Sequence, residues 1–132
     1  FLDADAACDP FWSFHLALSL EDPRRAATGG PNLAFAEAGL VERAVALSPG
    51  SPTEVLIGDD RAEHVAGYNM AFRRDRLREM GGFDAVYTAA GDDVDVCWKL
   101  LDAGHEIRFS AAAQVFHRRR GTVGGYLRQQ RG

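Results

Sequence analysis

Three groups of side chains in this sequence have types and spacings that could do chemistry. The first is Asp3-Ala4-Asp5, in the opening FLDADA. In an extended strand, residues two apart project to one side. Two carboxylates on one side of a strand's C-terminal end can grip a divalent cation, directly or through water. Such strand ends are where ligands bind in α/β sheets. The plainer reading is a polar turn after a strand, with Asp9 capping the next helix. The second group is Gly91-Asp92-Asp93-Val94-Asp95. Acids at a helix N-terminus are favoured by capping and by the dipole, the latter by about 0.3–1 kcal/mol. That accounts for one or two of the three acids. A carboxylate held there in its charged form also suits a general base that takes a proton from a hydroxyl. The third group is His117 with Arg118, Arg119 and Arg120, after an apolar stretch. Imidazole can complete a metal shell, and arginine can neutralise a diphosphate through forked hydrogen bonds. A lone structural or solvent-facing histidine is the competing reading.

The elements that must position these groups follow from local pattern. Phe1–Leu2 reads as the end of a buried strand, stopped by Asp3. Asp9 can cap a helix that has Pro10 at its first position and runs over Phe11–Leu20. Arg25–Thr28 is a short strand closed by Gly29-Gly30-Pro31, and Glu37–Leu47 reads as a helix. Ser48–Arg61 is a proline- and glycine-bearing surface loop. Over Val65–Phe72 the alternation puts Ala66, Tyr68, Met70 and Phe72 on one face of a strand, with Gly67, Asn69 and Ala71 on the other. Asp75 is expected to cap a short helix ending at Gly81-Gly82. Asp92–Ala103 has the clearest helical pattern, with Val94, Cys97, Trp98 and Leu101 inward, an Asp95–Lys99 pair outward, and Gly104 as terminator. Glu106–Phe109 and Gln114–His117 read as strands. Thr122 would cap a last helix with Val123, Tyr126 and Leu127 inward. Strands alternating with helices give an α/β class.

The 132 residues carry 46% hydrophobic and 26% charged side chains, ordinary for a globular protein and enough for one domain spanning 1–132. A net charge of −4 gives no sign of nucleic-acid binding. From Ile107 onward the sequence has arginines at 108, 118, 119, 120, 128 and 131 and no acid. Such a tail is either a solvated basic face or a partner for an anionic ligand. The two cysteines, Cys8 and Cys97, form no C-x-x-C pair. A disulfide framework or zinc knuckle is not expected, and a reducing, cytoplasmic setting is. Glycine-rich nucleotide loops and the G-x-S-x-G elbow are absent.

In order, these features resemble the glycosyltransferases of family two, a large group of inverting enzymes that use nucleotide-sugar donors. The resemblance starts at FLDADA, continues through Asp22-Pro23-Arg24 into Gly29-Gly30, and is most specific from AGYNMAFRRDRLREMGGFD to AAGDDVDVCWKLLDAGHEIRFSAAAQVFHRRR. Within it, an asparagine strand leads to Gly-Gly-Phe-Asp. An acidic pair opening a helix follows, then a strand ending in His117, 24 residues after Asp93.

The resemblance implies a partial GT-A fold, with a mixed sheet flanked by helices and the nucleoside-binding half missing. It implies that Asp5, with Asp3 near the ribose or the metal and with His117, binds a divalent cation, Mn or Mg. Asp93 would be the base, with Asp92 beside it where many members have Glu. Arg118, Arg119 and Arg120 would face the donor diphosphate. Asn69, Trp98 and Gly67 would surround the donor sugar or the acceptor. The partners implied are a nucleotide-diphosphate sugar and a carbohydrate or lipid-linked acceptor, with the parent protein at the inner face of the membrane. The segment alone is expected to be inactive, and the edge of its incomplete sheet to be paired or covered, self-association being one way. Two alternatives stay open at this point. One is a haloacid-dehalogenase-like phosphatase with Asp3 as nucleophile. The other is a non-catalytic binding or scaffold fragment.

Overall fold

The computed structural model describes residues 1–46, 55–88, 90–118 and 121–129. In chain order the elements are β1 (Ala6–Cys8), α1 (Trp12–Ser19), β2 (Arg25–Gly29), β3 (Asn32–Leu33), α2 (Leu40–Ala46), β4 (Val55–Leu56), β5 (Ala62–His64), β6 (Met70–Phe72), α3 (Arg74–Glu79), α4 (Asp92–Asp102), β7 (Glu106–Phe109), β8 (Val115–His117) and α5 (Val123–Gln129). The architecture is mixed α/β with small sheets.

β2 is the central strand. It pairs antiparallel with β6, Ala27 opposite Phe72, and parallel with β7, Ala27 opposite Ile107. Ala26, Ala27 and Thr28 are fully buried, which suits a strand covered on both faces. Their small side chains let other backbone approach closely. A Cβ at Gly29 would lie 2.5 Å from the Asn69 carbonyl oxygen, and one at Gly30 would lie 2.2 Å from that of Ala113. Only glycine fits either position. A second sheet has the order β1-β8-β3, with β1 antiparallel to β8 and β3 parallel to it. β4 and β5 form a separate antiparallel pair.

The core joins Ala26, Ala27, Ala62, Val65, Met70, Cys97, Leu100 and Ile107. α4 contributes its buried stripe Val96, Cys97 and Leu100. This is rotated from the expected stripe: Cys97 points inward, but Trp98 is 52% exposed and its indole N–H donates to Glu63 Oε1 at 3.0 Å. α4 is bounded as its sequence indicates. Gly91 precedes it at φ 99° and Gly104 follows at φ 84°. The Gly104 and His105 N–H groups donate to Leu101 and Leu100, closing the helix with a Schellman motif. The Asp95–Lys99 pair stands at 2.7 Å.

Other expectations are corrected. Phe1 and Leu2 are exposed rather than buried, although Leu2 bridges Asn69 at the β6 edge. The strand expected over Val65–Phe72 is broken, because Asn69 N–H turns back to the Ala66 carbonyl and only Met70–Phe72 remains extended. Asp75 lies in the first turn of α3, whose N-cap is Arg73. Asp9 accepts the Phe11 N–H, but α1 itself starts after Phe11 without a side-chain cap. Thr122 does cap α5, accepting the Gly125 N–H, yet Val123 and Leu127 are exposed. Residues 48–54 of the expected loop, and Leu47, lie outside the described residues. The edges of the central sheet are met by the chain itself, through the Leu2–Asn69 bridge on one side and an Arg61–Arg108 bridge on the other.

Candidate active site

The Asp3-Ala4-Asp5 segment is a turn that leads into β1, closed by the Ala6 N–H donating to the Asp3 carbonyl at 3.1 Å. The carboxylates therefore stand between the Phe1–Leu2 stretch, which pairs with Met70 and Asn69 at the β6 edge, and the entry of β1. Their partner arrives from the far end of the chain. β1 and β8 run antiparallel with Ala6 opposite His117, so the residue before Ala6 meets the imidazole. His117 Nε2 lies 3.1 Å from Asp5 Oδ1 and 3.6 Å from Asp3 Oδ2. One ligand atom from each of Asp3, Asp5 and His117 lies within 4.8 Å of the others.

Two carboxylates and one imidazole make a donor set that fits a hard-to-borderline divalent ion, with the imidazole favouring Mn over Mg. The carboxylates are largely exposed, which leaves room for water or a ligand oxygen to complete the shell. His117 Nδ1 is buried and has no hydrogen-bond partner among the described residues. The face of the His117 ring lies against Tyr68, with centroids 5.5 Å apart and planes 26° apart.

Asp93 is held differently. Its Oδ2 accepts the Gly67 N–H at 2.9 Å, and its Oδ1 accepts the Val94 N–H at 2.9 Å. Both carboxylate oxygens are thus oriented by backbone, and each keeps acceptor capacity for a further hydrogen bond.

Asp3, Gly67, Tyr68, Asp92 and Asp93 border one open cleft of about 710 Å³. Its apolar wall is formed by Phe1, Met70 and Phe83. The Phe1 and Phe83 rings meet edge to face at 5.0 Å. Asp5 and His117 flank the cleft through their contact with Asp3's cluster.

The remaining sequence candidates sit elsewhere. Asn69 is fully buried, and neither it nor Trp98 is among the described residues that line the cleft. The Asn69 amide donates to the Pro31 and Ala113 carbonyls at 3.1 and 2.9 Å and accepts the Trp12 indole N–H at 2.8 Å. It is a clamp between three segments. Arg118 is exposed, its guanidinium carbon 5.7 Å from the centroid of the Phe35 ring. Arg119 and Arg120 lie outside the described residues. Tyr68 and Trp12 were not singled out from the sequence. Their only signal is an aromatic type, which a core position shares.

No helix among the described residues is long and apolar enough to cross a membrane. The family described as glycosyl transferase family group 2 matches residues 2–131. Two curated relatives, both named pre-mycofactocin glycosyltransferase and from Mycobacterium tuberculosis strains CDC 1551 / Oshkosh and ATCC 25618 / H37Rv, are 31% identical over 71 residues. That stretch is 54% of this chain and 15% of each relative's length.

Proposed function

The chain belongs to glycosyl transferase family group 2, and from that membership we propose that it carries the metal-binding and acceptor side of a sugar transfer that inverts the anomeric centre. The donor is a nucleotide-diphosphate sugar and the acceptor a hydroxyl on a carbohydrate or lipid-linked molecule. The observation that carries the reading is the shared cleft, which brings Asp93 and Asp3 to one cavity with Asp5 and His117 alongside.

Asp93 is the general base. An acceptor hydroxyl is a weak nucleophile at neutral pH, and a fixed carboxylate beside it takes its proton as the oxygen attacks the anomeric carbon. The Gly67 and Val94 N–H groups aim the carboxylate and spare it from rotating away. Asp3, Asp5 and His117 would hold a divalent cation. When bound, that cation offsets the negative charge that develops on the leaving diphosphate. Arg118 adds positive charge on the same side, next to His117. A single displacement inverts the sugar. The phosphatase alternative, with Asp3 as nucleophile, loses its ground to the family match, and Asp3 stands on a turn at the sheet's edge.

The test uses the full-length protein that contains this chain. Nucleotide-sugars are screened for turnover with Mn present, for the parent and for Asp93→Asn. Donor-dependent turnover should fall by about 10²–10⁴ in the variant, the usual contribution of a general base. Equal turnover in both would remove Asp93 from the mechanism. No heat in Mn and nucleotide-sugar titrations of the parent would leave the scaffold alternative standing.

A further inference from the structure

The turn over residues 65–69 touches both Asp93 and His117. The Gly67 N–H orients Asp93. The next residue, Tyr68, lays its ring on His117. The one after it, Asn69, is locked by its amide to Pro31, Ala113 and Trp12, and its backbone bridges Leu2, the neighbour of Asp3. Three consecutive positions of one turn therefore reach Asp93, the imidazole and the residue before Asp3.

Metal-ligating imidazoles are usually oriented by a hydrogen bond at the nitrogen that does not face the metal. His117 has no such bond: its Nδ1 is buried and without a partner among the described residues. The ring must be oriented by something else, and among the described residues the ring that meets it is Tyr68, at 26°. Stacked aromatic rings attract one another beyond the area they bury.

We infer that Tyr68 is a positioning residue for His117, its ring face replacing the missing hydrogen bond and keeping Nε2 turned toward Asp3 and Asp5. The inference rests on the divalent-cation reading of that cluster. It assigns the effect to the ring and not to the hydroxyl, because the contact is face to face. It also makes the turn the part that keeps the cation side and Asp93 in a fixed relation, since Gly67 and Tyr68 are adjacent.

Mn²⁺ alone is the probe, titrated into the protein and followed by the loss of the free-ion paramagnetic resonance signal. Tyr68→Leu should weaken Mn²⁺ binding about 10-fold, in the range seen when a residue supporting a metal ligand is changed. Tyr68→Phe should stay within about 2-fold of the parent, as the ring is kept. In a His117→Ala background, Tyr68→Leu should add nothing further. A second readout needs no metal: the ring protons of His117 should move downfield in Tyr68→Leu and hold their place in Tyr68→Phe. If Tyr68→Leu loses its cooperative thermal transition, Tyr68→Met takes its place. Three results would each overturn the inference while leaving the cation site intact: unchanged Mn²⁺ binding in Tyr68→Leu, an equal loss in Tyr68→Phe, or an undiminished penalty without His117. A parent that binds no Mn²⁺ would overturn both the inference and the cation reading beneath it.

Discussion

Asn69 satisfies two carbonyls and an indole N–H with one amide. Truncating it takes the bond from the buried Ala113 carbonyl and from the part-buried Trp12 indole N–H, while the Pro31 carbonyl keeps the Val115 N–H. Asn69→Ala should lower unfolding stability by roughly 2–3 kcal/mol, read as a drop in urea midpoint at unchanged slope. Trp12→Phe removes one of the three bonds and should cost less. The sequence marks Asp3, Asp5, Asp93 and His117 as candidates because carboxylates and imidazole at those spacings can do chemistry. It is their order along the chain that sets them apart from a polar turn, a helix start and a lone histidine. It marks Asn69 only as polar, and polarity alone points toward a ligand. What it cannot convey is that Pro31, Ala113 and Trp12 come together around that amide, which depends on contacts between residues 38, 44 and 57 positions apart.

At the scale of the element, α4 joins the core to the cleft. Its first turn presents Asp92 and Asp93, and one turn later Cys97 is fully buried. Burial pushes the Cys97 thiol up to about 11, against a backbone hydrogen bond from Val65, and the nearby Asp93 charge adds to the rise. A native thiol assay with a disulfide reagent at pH 8 should therefore count one reactive group, the exposed Cys8, and two once the protein is unfolded. The same shift has a sign for stability. The unfolded thiol ionises near 9 while the folded one stays protonated to about 11. Stability is lost as pH rises through that window, and Cys97→Ala should flatten the decline. The ends of α4 are legible because Gly91, the acids and Gly104 are local signals. Its inward stripe is less so. Trp98 turns outward because Glu63 accepts its N–H, and Val96 and Leu100 fill the place that helical spacing gave to it, while Leu101 packs against the core as its spacing indicates. Likewise, strict alternation from Val65 to Phe72 suits a strand, but the bond from Asn69 back to Ala66 outweighs it.

Across the whole molecule, two small sheets meet where the chemistry is expected. The central one carries the core, and the β1-β8-β3 sheet carries His117 and leads out of Asp5. A cation held by Asp3, Asp5 and His117 would bind only the folded chain. At a hundredfold excess over its dissociation constant it should add about 2.7 kcal/mol of stability. Thermal melts with and without Mn²⁺ should show the midpoint rising, and Asp5→Asn should remove most of the rise while leaving the metal-free midpoint near that of the parent. An unshifted parent midpoint in Mn²⁺ would speak against the site. The α/β class is legible from the sequence because strands and helices alternate in the pattern of apolar residues. The pairing of β1 with β8 is not, since nothing local to Ala6–Cys8 names a partner beyond position 114.

That pairing fixes when the site comes into being. Asp5 and His117 are 112 residues apart in the chain, so their contact closes a long loop. Loop closure of this length is entropically costly and is repaid only after the intervening elements have packed. The cluster of Asp3, Asp5 and His117 is thus expected to form late in folding. A chain that has formed α4 and the central sheet but has not paired β1 with β8 would have Asp93 in place and the proposed cation ligands apart.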